Sequence, residues 1–535
     1  MSNITKVYLL NTPLDNDYQH TLYFSGVDTQ YSYFSKRKVH SFTDFNYQRK
    51  DSFIRVPLHY DECAGCNYVM YQNSEDSSKW YYAFITDIKF IDKGRTDIYI
   101  ETDVIQTWMF DYEVKTSFVE REHVDDDTIG LHTLPENIQL GEYVSNGYEK
   151  DDNLKIDSNY VVIGSTATLY YDGTGKTFKG EDWIGGIYCG IYSGNRYYMR
   201  KAVKSGDEVG PSVDITSYMQ KLADEGKIEG LSSLFLAPNF LLQYKDLAID
   251  GKYYHYVVDE SNTPRTYEKL VAKQNTINGY TPKNNKLLTF PYQYLLVNNG
   301  NGTAVEYQYE LFSDQESCEF LIRGVLSPGC SIRMIPKNYK GTEFNEIEGI
   351  NLGKYPQCNW ATDQYTNWLT QNGVNIVTGG INSVGNAVMS GALMGPVGAV
   401  VGGVNAITSI ANSVNQMVMA ERQPPQTSGN INCGDVVTAS DNNTFHFYKM
   451  SIKSENAKIV DEFFSMFGYK INRAKIPNKN HRENYWFTKT IDVNIVGGIP
   501  KNDMNKIKTC YNNGITFWKY PSNFRDYSVS NNIVE

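Results

Sequence analysis

Polar and apolar residues alternate in several short stretches of the first 125 residues of this 535-residue chain. A repeat of two residues is typical of a strand that buries one face and exposes the other. The alternation predicts strands at 18–24, 52–58, 68–72, 80–90 and 97–103. We therefore expect an N-terminal β-barrel or β-sandwich.

Short strand patterns also dominate the middle of the chain, between about residues 137 and 355. They predict strands at 160–169, 183–192, 287–296, 306–312 and 319–326, and a helix at 217–225. We expect this region to form a second, mixed β domain.

Helical periodicity is clearest towards the C-terminal end. Residues 453–467 predict an amphipathic helix with Ile459, Phe463 and Met466 on its apolar side. A strand at 485–495 and a helix at 501–511 are predicted after it. The expected fold class is mainly β with minor α.

The longest break in these patterns is a run of 57 residues, 364–420, without Asp, Glu, Lys, Arg or His. Apolar residues recur in it at helical spacing in two arms, and Gly395-Pro396 between them favours a turn. Each arm has about 21 to 23 residues, and a helix of that length spans roughly 30 Å, the thickness of a hydrocarbon core. Two hypotheses remain open: a helical hairpin buried in a soluble core, and a loop that enters a membrane under certain conditions.

Two features favour the membrane hypothesis. The run contains no charge that would need desolvation, and it ends abruptly at Glu421-Arg422 and Pro424-Pro425, as a displayed loop would. Its nine glycines make it less apolar than an ordinary membrane span, which suggests a segment that changes surroundings. The residues predicted to form the membrane-insertion loop are Val374, Val377, Ile381, Val384, Val388, Leu393, Gly395, Pro396, Val400, Val401, Val404, Ile407, Ile410, Val414 and Met417.

The composition favours an assembly protein over a nucleic-acid-binding protein. Acidic residues outnumber basic ones by 61 to 50, and the basic residues form no stripe that would bind phosphates. An acidic surface can still face DNA, because it repels the phosphates and lets the polymer slide without sticking. The 42 Tyr and 24 Phe residues suit strands and protein interfaces.

Two motifs resemble chemical sites but are incomplete. The turn Gly175-Lys176-Thr177 ends like a phosphate-binding loop, but Tyr170 stands where that loop needs a glycine. Cys63 and Cys66 have the spacing of half a zinc site, and no second pair stands at a suitable distance. We expect neither nucleotide nor zinc at these positions.

A third motif matches part of a calcium-binding loop. Asp125, Asp127, Gly130 and Glu136 occupy four of its positions, whereas Ile129 stands at a ligand position. An acidic turn is the simpler interpretation. The chain also lacks the Gly-x-Ser-x-Gly and His-Glu-x-x-His motifs of hydrolases, so the sequence predicts no catalytic residues, no metal and no cofactor.

The eight cysteines and the N-terminal segment bear on the cellular compartment. The cysteines are scattered through a long chain, which favours free thiols over a disulfide framework. Residues 1–16 contain one lysine and a short apolar run, unlike a signal peptide. We expect synthesis and folding in a cytosol.

Five segments carry a family resemblance. They are 79–90 (KWYYAFITDIKF), 100–111 (IETDVIQTWMFD), 117–124 (SFVEREHV), 463–473 (FFSMFGYKINR) and 513–518 (NGITFW). Together they resemble the distal tail-tube or tail knob proteins of phi29-like podoviruses, short-tailed phages of Gram-positive bacteria. That family also has a long uncharged loop before its C-terminal domain, where this chain has 364–420.

The resemblance implies a virion protein that forms a hexameric, β-walled tube at the end of the tail. Its hydrophobic loops would plug the lumen and then insert into the host cytoplasmic membrane during DNA ejection. Genome DNA would pass through without specific binding, and the lower collar or tube proteins of the tail would be partners. Two alternatives are a tail-tip enzyme that degrades cell wall and a receptor-binding adhesin.

The patterns and the resemblance together predict four domains. They are an N-terminal β tube-wall domain at 1–132, a middle mixed-β knob domain at 133–360, the membrane-active loop at 361–430, and a C-terminal α/β segment at 431–535 that packs with the first domain.

Overall fold

The computed structural model describes residues 5–43, 52–73, 79–154, 159–165, 187–188, 191–192, 196–201, 231–241, 244–249, 252–257, 265–325, 329–355, 357–361, 428–432 and 443–534. The chain forms two compact units that interleave along the sequence. Unit 1 consists of Met1–Gly141, Gly279–Pro291 and Lys453–Glu535, and unit 2 consists of Glu142–Asn278 and Tyr292–Ile452.

Strands make up most of the described regular structure. In chain order they are β1 (Thr5–Leu10), β2 (His20–Leu22), β3 (Lys38–Phe42), β4 (Phe53–Val56), β5 (Tyr68–Asn73), β6 (Trp80–Asp92), β7 (Arg95–Thr102), β8 (Tyr112–Val114), β9 (Ser117–Glu122), β10 (Tyr143–Lys150), β11 (Asn159–Ser165), β12 (Ile187–Tyr188), β13 (Ile191–Tyr192), β14 (Arg196–Lys201), β15 (Leu231–Pro238), β16 (Tyr244–Ile249), β17 (Lys252–Val257), β18 (Arg265–Ala272), β19 (Gln293–Asn298), β20 (Ala304–Tyr307), β21 (Ser317–Val325), β22 (Ser331–Tyr339), β23 (Thr342–Phe344), β24 (Ile350–Asn351), β25 (Gln357–Ala361), β26 (Ser428–Asn432), β27 (His446–Ile452), β28 (Tyr469–Lys475), β29 (Tyr485–Ile491), β30 (Ile495–Gly497) and β31 (Ile515–Trp518). The α-helices are α1 (Val27–Ser35), α2 (Tyr60–Cys63), α3 (Val104–Trp108), α4 (Ser454–Phe467) and α5 (Lys501–Asn513). The predicted fold class, mainly β with minor α, is confirmed.

Unit 1 contains a six-stranded antiparallel sheet in the order β3-β1-β5-β6-β7-β4. Successive residues of a strand point to opposite faces, and here both faces are buried. In β5, Tyr68 and Met70 belong to one apolar cluster, whereas Val69 and Tyr71 belong to another. A sheet that is covered on both sides needs near-continuous apolar strands, which explains the run of aromatic and aliphatic residues in β5.

The second sheet of unit 1 joins residues that are far apart in the sequence. Its order is β2-β31-β29-β9-β28, with β9 between two strands from the C-terminal part of the chain. Trp518 of β31 is fully buried, and its ring lies 4.5 Å from that of Tyr485 in β29. The N-terminal and C-terminal parts of unit 1 therefore share one core.

Helix α4 ends at a glycine that the fold requires. Gly468 has a φ of 65°, a conformation that side chains disfavour. A Cβ atom at this position would lie 2.1 Å from the carbonyl oxygen of Glu122. This close approach lets β28 begin directly after the helix and pair with β9.

The predicted apolar side of α4 is wrong. Ile459, which was expected to be buried, is 65% exposed. The buried residues of the helix are Ala457, Val460, Asp461 and Phe464. The helix is rotated relative to the prediction because a carboxylate, Asp461, faces the interior, where it accepts hydrogen bonds from a neighbouring segment.

Unit 2 contains three larger sheets. A four-stranded sheet has the order β10-β27-β19-β20, and a seven-stranded sheet has the order β16-β17-β14-β11-β15-β25-β26. A third sheet has the order β18-β21-β22-β23, with β24 pairing with β22. An aromatic cluster that includes Tyr307, Phe320 and Phe447 lies in the core of the unit.

Several predicted strands have the right place and type. The strands predicted at 52–58, 68–72, 80–90 and 97–103 are confirmed as β4 to β7, and the helices at 453–467 and 501–511 are confirmed as α4 and α5. The strand predicted at 287–296 is wrong at its start, because Asn285–Leu288 forms a 3-10 turn and β19 begins at Gln293. The strand predicted at 485–495 is interrupted at Asp492, which has a φ of 52°. The helix predicted at 217–225 lies outside the described residues.

Candidate functional site

The two ends of the uncharged segment emerge from neighbouring strands of unit 2. Strands β25 and β26 pair antiparallel, with Gln357 opposite Asn432 and Ala361 opposite Ser428. Neighbouring strands lie about 4.8 Å apart, so Ala361 and Ser428, which flank the undescribed residues 362–427, are adjacent in the sheet. The two strands therefore hold the two ends of the intervening chain close together. We call the ladder of β25 and β26 the loop base.

The residues predicted for membrane insertion, Val374 to Met417, lie outside the described residues. Their role stays a prediction. Among the helices that the structure does describe, none is both long enough and apolar enough to cross a bilayer.

Two of the three acidic residues of the calcium-like motif, Asp127 and Glu136, are bound to protein groups. Asp127 accepts hydrogen bonds from the Tyr469 hydroxyl at 2.6 Å and from the backbone N–H of Asn285 at 3.0 Å. Glu136 is buried between Arg121 and Lys286, and the Nζ atom of Lys286 lies 2.6 Å from its carboxylate. Burial opposes ionisation of Glu136, but the hydrogen bond from Lys286 and its charge outweigh it and lower the pKa.

The paired cysteines are buried among apolar side chains. Cys63 and Cys66 belong to the cluster beneath the six-stranded sheet, and burial raises the pKa of Cys63 to about 11. A thiol with that pKa is a poor source of the thiolate that zinc requires. Over the part of the chain that the structure describes, no group of three or more His, Cys, Asp or Glu residues is placed to hold a metal ion. Gly175-Lys176-Thr177 lies outside that part.

A buried carboxylate begins helix α3. Asp103 accepts hydrogen bonds from the N–H groups of Ile105 at 3.1 Å and Gln106 at 3.0 Å, as an N-cap residue does. The Tyr68 hydroxyl donates a third bond at 2.8 Å. Burial nevertheless raises the pKa of Asp103 to about 6. The charge is therefore tolerated at neutral pH at some cost to stability.

Replacing Asp103 by Asn is expected to weaken the pH dependence of stability. Because the pKa of Asp103 is raised from 3.8 to about 6 in the fold, stability falls as pH rises through this window. The Asn variant stays neutral, so between pH 4 and pH 8 it should gain up to ~3 kcal/mol relative to the wild type, at ~1.4 kcal/mol per pH unit. Urea unfolding at several pH values, at one protein concentration, measures this difference.

Tyr68→Phe is the matched comparison for that measurement. It keeps the Asp103 carboxylate but removes the hydroxyl that donates to it, so it should make the decline of stability with pH steeper. Parallel stability curves for the wild type and Asp103→Asn would contradict the assignment.

A second buried carboxylate anchors the segment Gly279–Pro291 within unit 1. Asp461 of α4, 1% exposed, accepts hydrogen bonds from the Tyr280 hydroxyl and the Lys283 N–H, both at 2.7 Å. It also accepts from the backbone N–H of Asn284 at 3.1 Å and from its side-chain amide at 2.7 Å. Four donors therefore converge on one carboxylate. We call this group the Asp461 anchor.

Sequence reasoning missed both carboxylates. Asp103 directly precedes an apolar run that starts a helix, so its role as an N-cap had a sequence signal. Asp461 had none, because its donors are about 180 residues away in the chain and its place in the helical pattern favoured solvent.

Unit 1 has an open cleft of about 660 Å³. Met466 and Phe467 at the end of α4, together with Phe487 of β29, give it apolar walls. Its charged lining residues are Asp17, Glu101 and Lys506, and the last two pair with each other at 2.7 Å. We call this the aromatic cleft.

The hairpin formed by β6 and β7 ends in exposed apolar side chains. Phe90 is 54% exposed and Ile91 is 44% exposed. The register shifts between Phe90 and Asp92, so Ile91 has no cross-strand partner. Lys93 and Arg95 follow in the turn and at the start of β7, and both are exposed. We call residues 90–95 the hairpin tip.

Models of two protein families match the chain. The C-terminal domain of the Bacillus phage phi29 tail knob protein gp9 matches residues 252–532, just over half of the chain. The N-terminus of the caudoviral major tail protein matches residues 3–113. The two matches together cover strands of both units.

Individual proteins are similar over nearly the whole chain. The chain is 26% identical to the tail knob protein gp9 of Bacillus phage B103, over 98% of this chain and 97% of that protein. It is 26% identical to that of Bacillus phage PZA and 25% identical to that of Bacillus phage phi29, over 98% of each chain. Among solved structures, the bacteriophage C1 tail knob protein gp12 aligns with a TM-score of 0.64 and 14% identity, over 99% of this chain and 100% of that one. This last match shows a shared fold.

Proposed function

This chain belongs to the family of the Bacillus phage phi29 tail knob protein gp9, and on that basis we propose that it forms the wall of a tube at the distal end of a short phage tail. As a tail knob protein it is a structural component of the virion tail. In the proposed assembly six copies form a ring, and the ring joins the lower collar or tube proteins of the tail.

The loop on the loop base is the proposed membrane-penetrating element. The observation that supports this is the pairing of Ala361 with Ser428, which holds the chain on either side of the charge-free segment 364–420 close together. A segment held in this way would change its surroundings without disturbing the strands that hold it, since the entropy of loop closure depends only weakly on loop length.

Two environments can satisfy the apolar stripes of this loop. In the virion, six loops that meet on the ring axis would bury one another, with a stabilisation of roughly 25 cal/mol per Å² removed from water. In the host cytoplasmic membrane the same stripes would contact hydrocarbon, and their Asn and Thr residues would face a wet pore. The change from plug to pore would open the path for DNA.

The lumen of the tube would carry genome DNA without binding it. The chain has a formal net charge of −11, so a ring of copies presents DNA with a predominantly repulsive wall. Weak, sequence-independent repulsion suits passage, because each phosphate contact made would have to be broken again.

The purified full-length chain is expected to form closed rings. Native mass spectrometry should show a single dominant oligomer, six copies, and electron micrographs should show a ring with a central hole. Exposed edges of β-sheets are sources of subunit pairing, which is why we expect little free monomer at micromolar concentration. A clean monomer under these conditions, together with tails that lack a ring of this protein, would contradict the tube.

A further inference from the structure

The hairpin tip and the aromatic cleft are two exposed surfaces of the same unit. The tip presents Phe90 and Ile91 to solvent, next to Lys93 and Arg95, and the Phe90 ring also contacts His59, with 5.9 Å between the ring centroids. Among the described residues, neither of these two cations lies within ion-pair distance of a carboxylate. Adjacent exposed apolar side chains rimmed by polar residues are a feature of surfaces that bind another protein.

The aromatic cleft has the complementary character. Its walls are Met466, Phe467 and Phe487, and its volume of about 660 Å³ is enough for two large side chains. Asp17, which also lines the cleft, is exposed; its charge acts on His20 of the same lining, and among the described residues it forms no ion pair with a Lys or Arg. Glu101 also lines the cleft, where it pairs at 2.7 Å with Lys506 of the same lining, so Asp17 is the carboxylate left for a cation from outside.

The two surfaces lie at opposite ends of one strand. Arg95 begins β7 at the tip, and Glu101, near its other end, lines the aromatic cleft. An extended strand rises about 3.4 Å per residue, so the two surfaces are roughly 20 Å apart in one copy. A rigid sheet cannot bring them together, and the tip of one copy can reach only the cleft of another.

We propose that the hairpin tip of one copy of the chain docks in the aromatic cleft of the next copy. Phe90 and Ile91 would bury their side chains against Phe467 and Phe487, and Lys93 would pair with Asp17 at the rim. The contact joins two different patches, so each copy offers one donor and one acceptor surface. Such head-to-tail contacts generate a closed ring when the rotation between copies closes.

This inference rests on the proposed ring and specifies the contact that builds it.

A zero-length carbodiimide cross-linker tests the contact in the wild-type protein, because it joins a lysine to a carboxylate only where they touch. Purified full-length rings should give a cross-linked peptide that joins Lys93 to Asp17. The distance of roughly 20 Å between the two surfaces in one copy means that this link must be intermolecular. Rings that form but link Lys93 to another site, or to none, would overturn the proposal.

Charge exchange tests the same contact by function. Asp17→Lys alone, or Lys93→Asp alone, should raise the protein concentration needed for half-assembly about tenfold or more, and the double variant should restore most of the loss. Asp17→Asn keeps an acceptor for the Gln19 N–H, so it separates loss of charge from damage to the local turn. Failure of the double variant to recover beyond the single variants would count against the pairing.

An apolar variant and its control complete the test. The double variant Phe90→Ser, Ile91→Ser should weaken assembly at least as strongly as the single charge variants do. Val39 is 52% exposed in the same unit, and Val39→Ser should leave assembly unchanged. Equal loss of assembly in the Phe90/Ile91 variant and the Val39 variant would overturn the docking model.

Failure of the contact can be told apart from failure of the proposed function. A wild-type chain that forms no ring would overturn both the tube and the contact. Rings that form normally in every variant would overturn the contact and leave the tube in place.

Discussion

Phage that lack residues 374–419 are expected to build tails and adsorb to cells but to deliver no DNA. The loop base holds β25 and β26 together without these residues, so the sheet of unit 2 should form as before. The deletion leaves about 20 residues to join two strands that lie about 4.8 Å apart, which is ample for loop closure. What is lost is the charge-free stretch that would enter the membrane.

The measurement is infection by the deletion phage, with tail assembly, adsorption and DNA entry scored separately. A replacement of 374–419 by a glycine- and serine-rich linker of equal length is the matched control for the physical presence of a loop, and it should fail in the same way. Normal DNA entry by either phage would defeat the penetration mechanism.

Charges placed in the arms should give the same defect without any deletion. Val384→Asp and Val404→Asp each cost roughly 2 to 4 kcal/mol at the centre of a bilayer, whereas Val384→Leu and Val404→Leu cost little. A peptide covering 374–419 should release dye from lipid vesicles, and the Asp variants should abolish the release. Vesicles that stay intact with the wild-type peptide over a range of pH and lipid composition would favour the buried hairpin instead.

Replacing Asp461 by Ala should be among the most destabilising single changes in unit 1. The variant leaves the Tyr280 hydroxyl, the Lys283 N–H and two donors of Asn284 without their acceptor in a buried site. Loss of a buried, fully bonded carboxylate costs about 3 to 5 kcal/mol. Asp461→Asn keeps one oxygen acceptor and should fall between the Ala variant and the wild type.

Glu462→Ala is the matched control, since the neighbouring residue is exposed on the same helix. The free energy of unfolding in urea and the hydrogen exchange of the Lys283 and Asn284 amides measure the effect. Faster exchange of these two amides in Asp461→Ala, but not in Glu462→Ala, is the expected signature. A difference of less than about 1 kcal/mol between the two variants would show that other contacts hold Gly279–Pro291 in place.

Strands were predictable from the sequence where strand-forming residues alternate with polar ones and a clear turn signal follows. The β6 and β7 hairpin combines strong strand formers with the Lys93-Gly94 turn, so its place and type followed from local sequence. The 3-10 turn at Asn285–Leu288 was not predictable, because its apolar Leu287 and Leu288 resemble a strand and the carboxylates that bind Asn284 and Asn285 lie far away in the chain. Hydrogen bonds to residues distant in the sequence therefore outweighed the local preference of this segment for a strand.

The candidate functional regions also include some features that local sequence predicts and others that depend on residues distant in the chain. The uncharged loop was visible in sequence because the absence of charge over 57 residues needs no partner to be recognised. Its base was not, since the pairing of Ala361 with Ser428 joins residues on either side of a long excursion. The aromatic cleft was also invisible, because its walls come from α4, β29 and α5 together with residues near Asp17.

The position of β9 in the second sheet of unit 1 has a consequence for biosynthesis. Its partners β28 and β29 leave the ribosome after a stretch of roughly 350 residues, which at ~10 residues per second takes about half a minute. During that time β9 has both edges open, and a nascent chain needs protection from pairing with its neighbours on a polysome. A prematurely terminated chain never completes this sheet, so incomplete products should be excluded from the tail by folding itself.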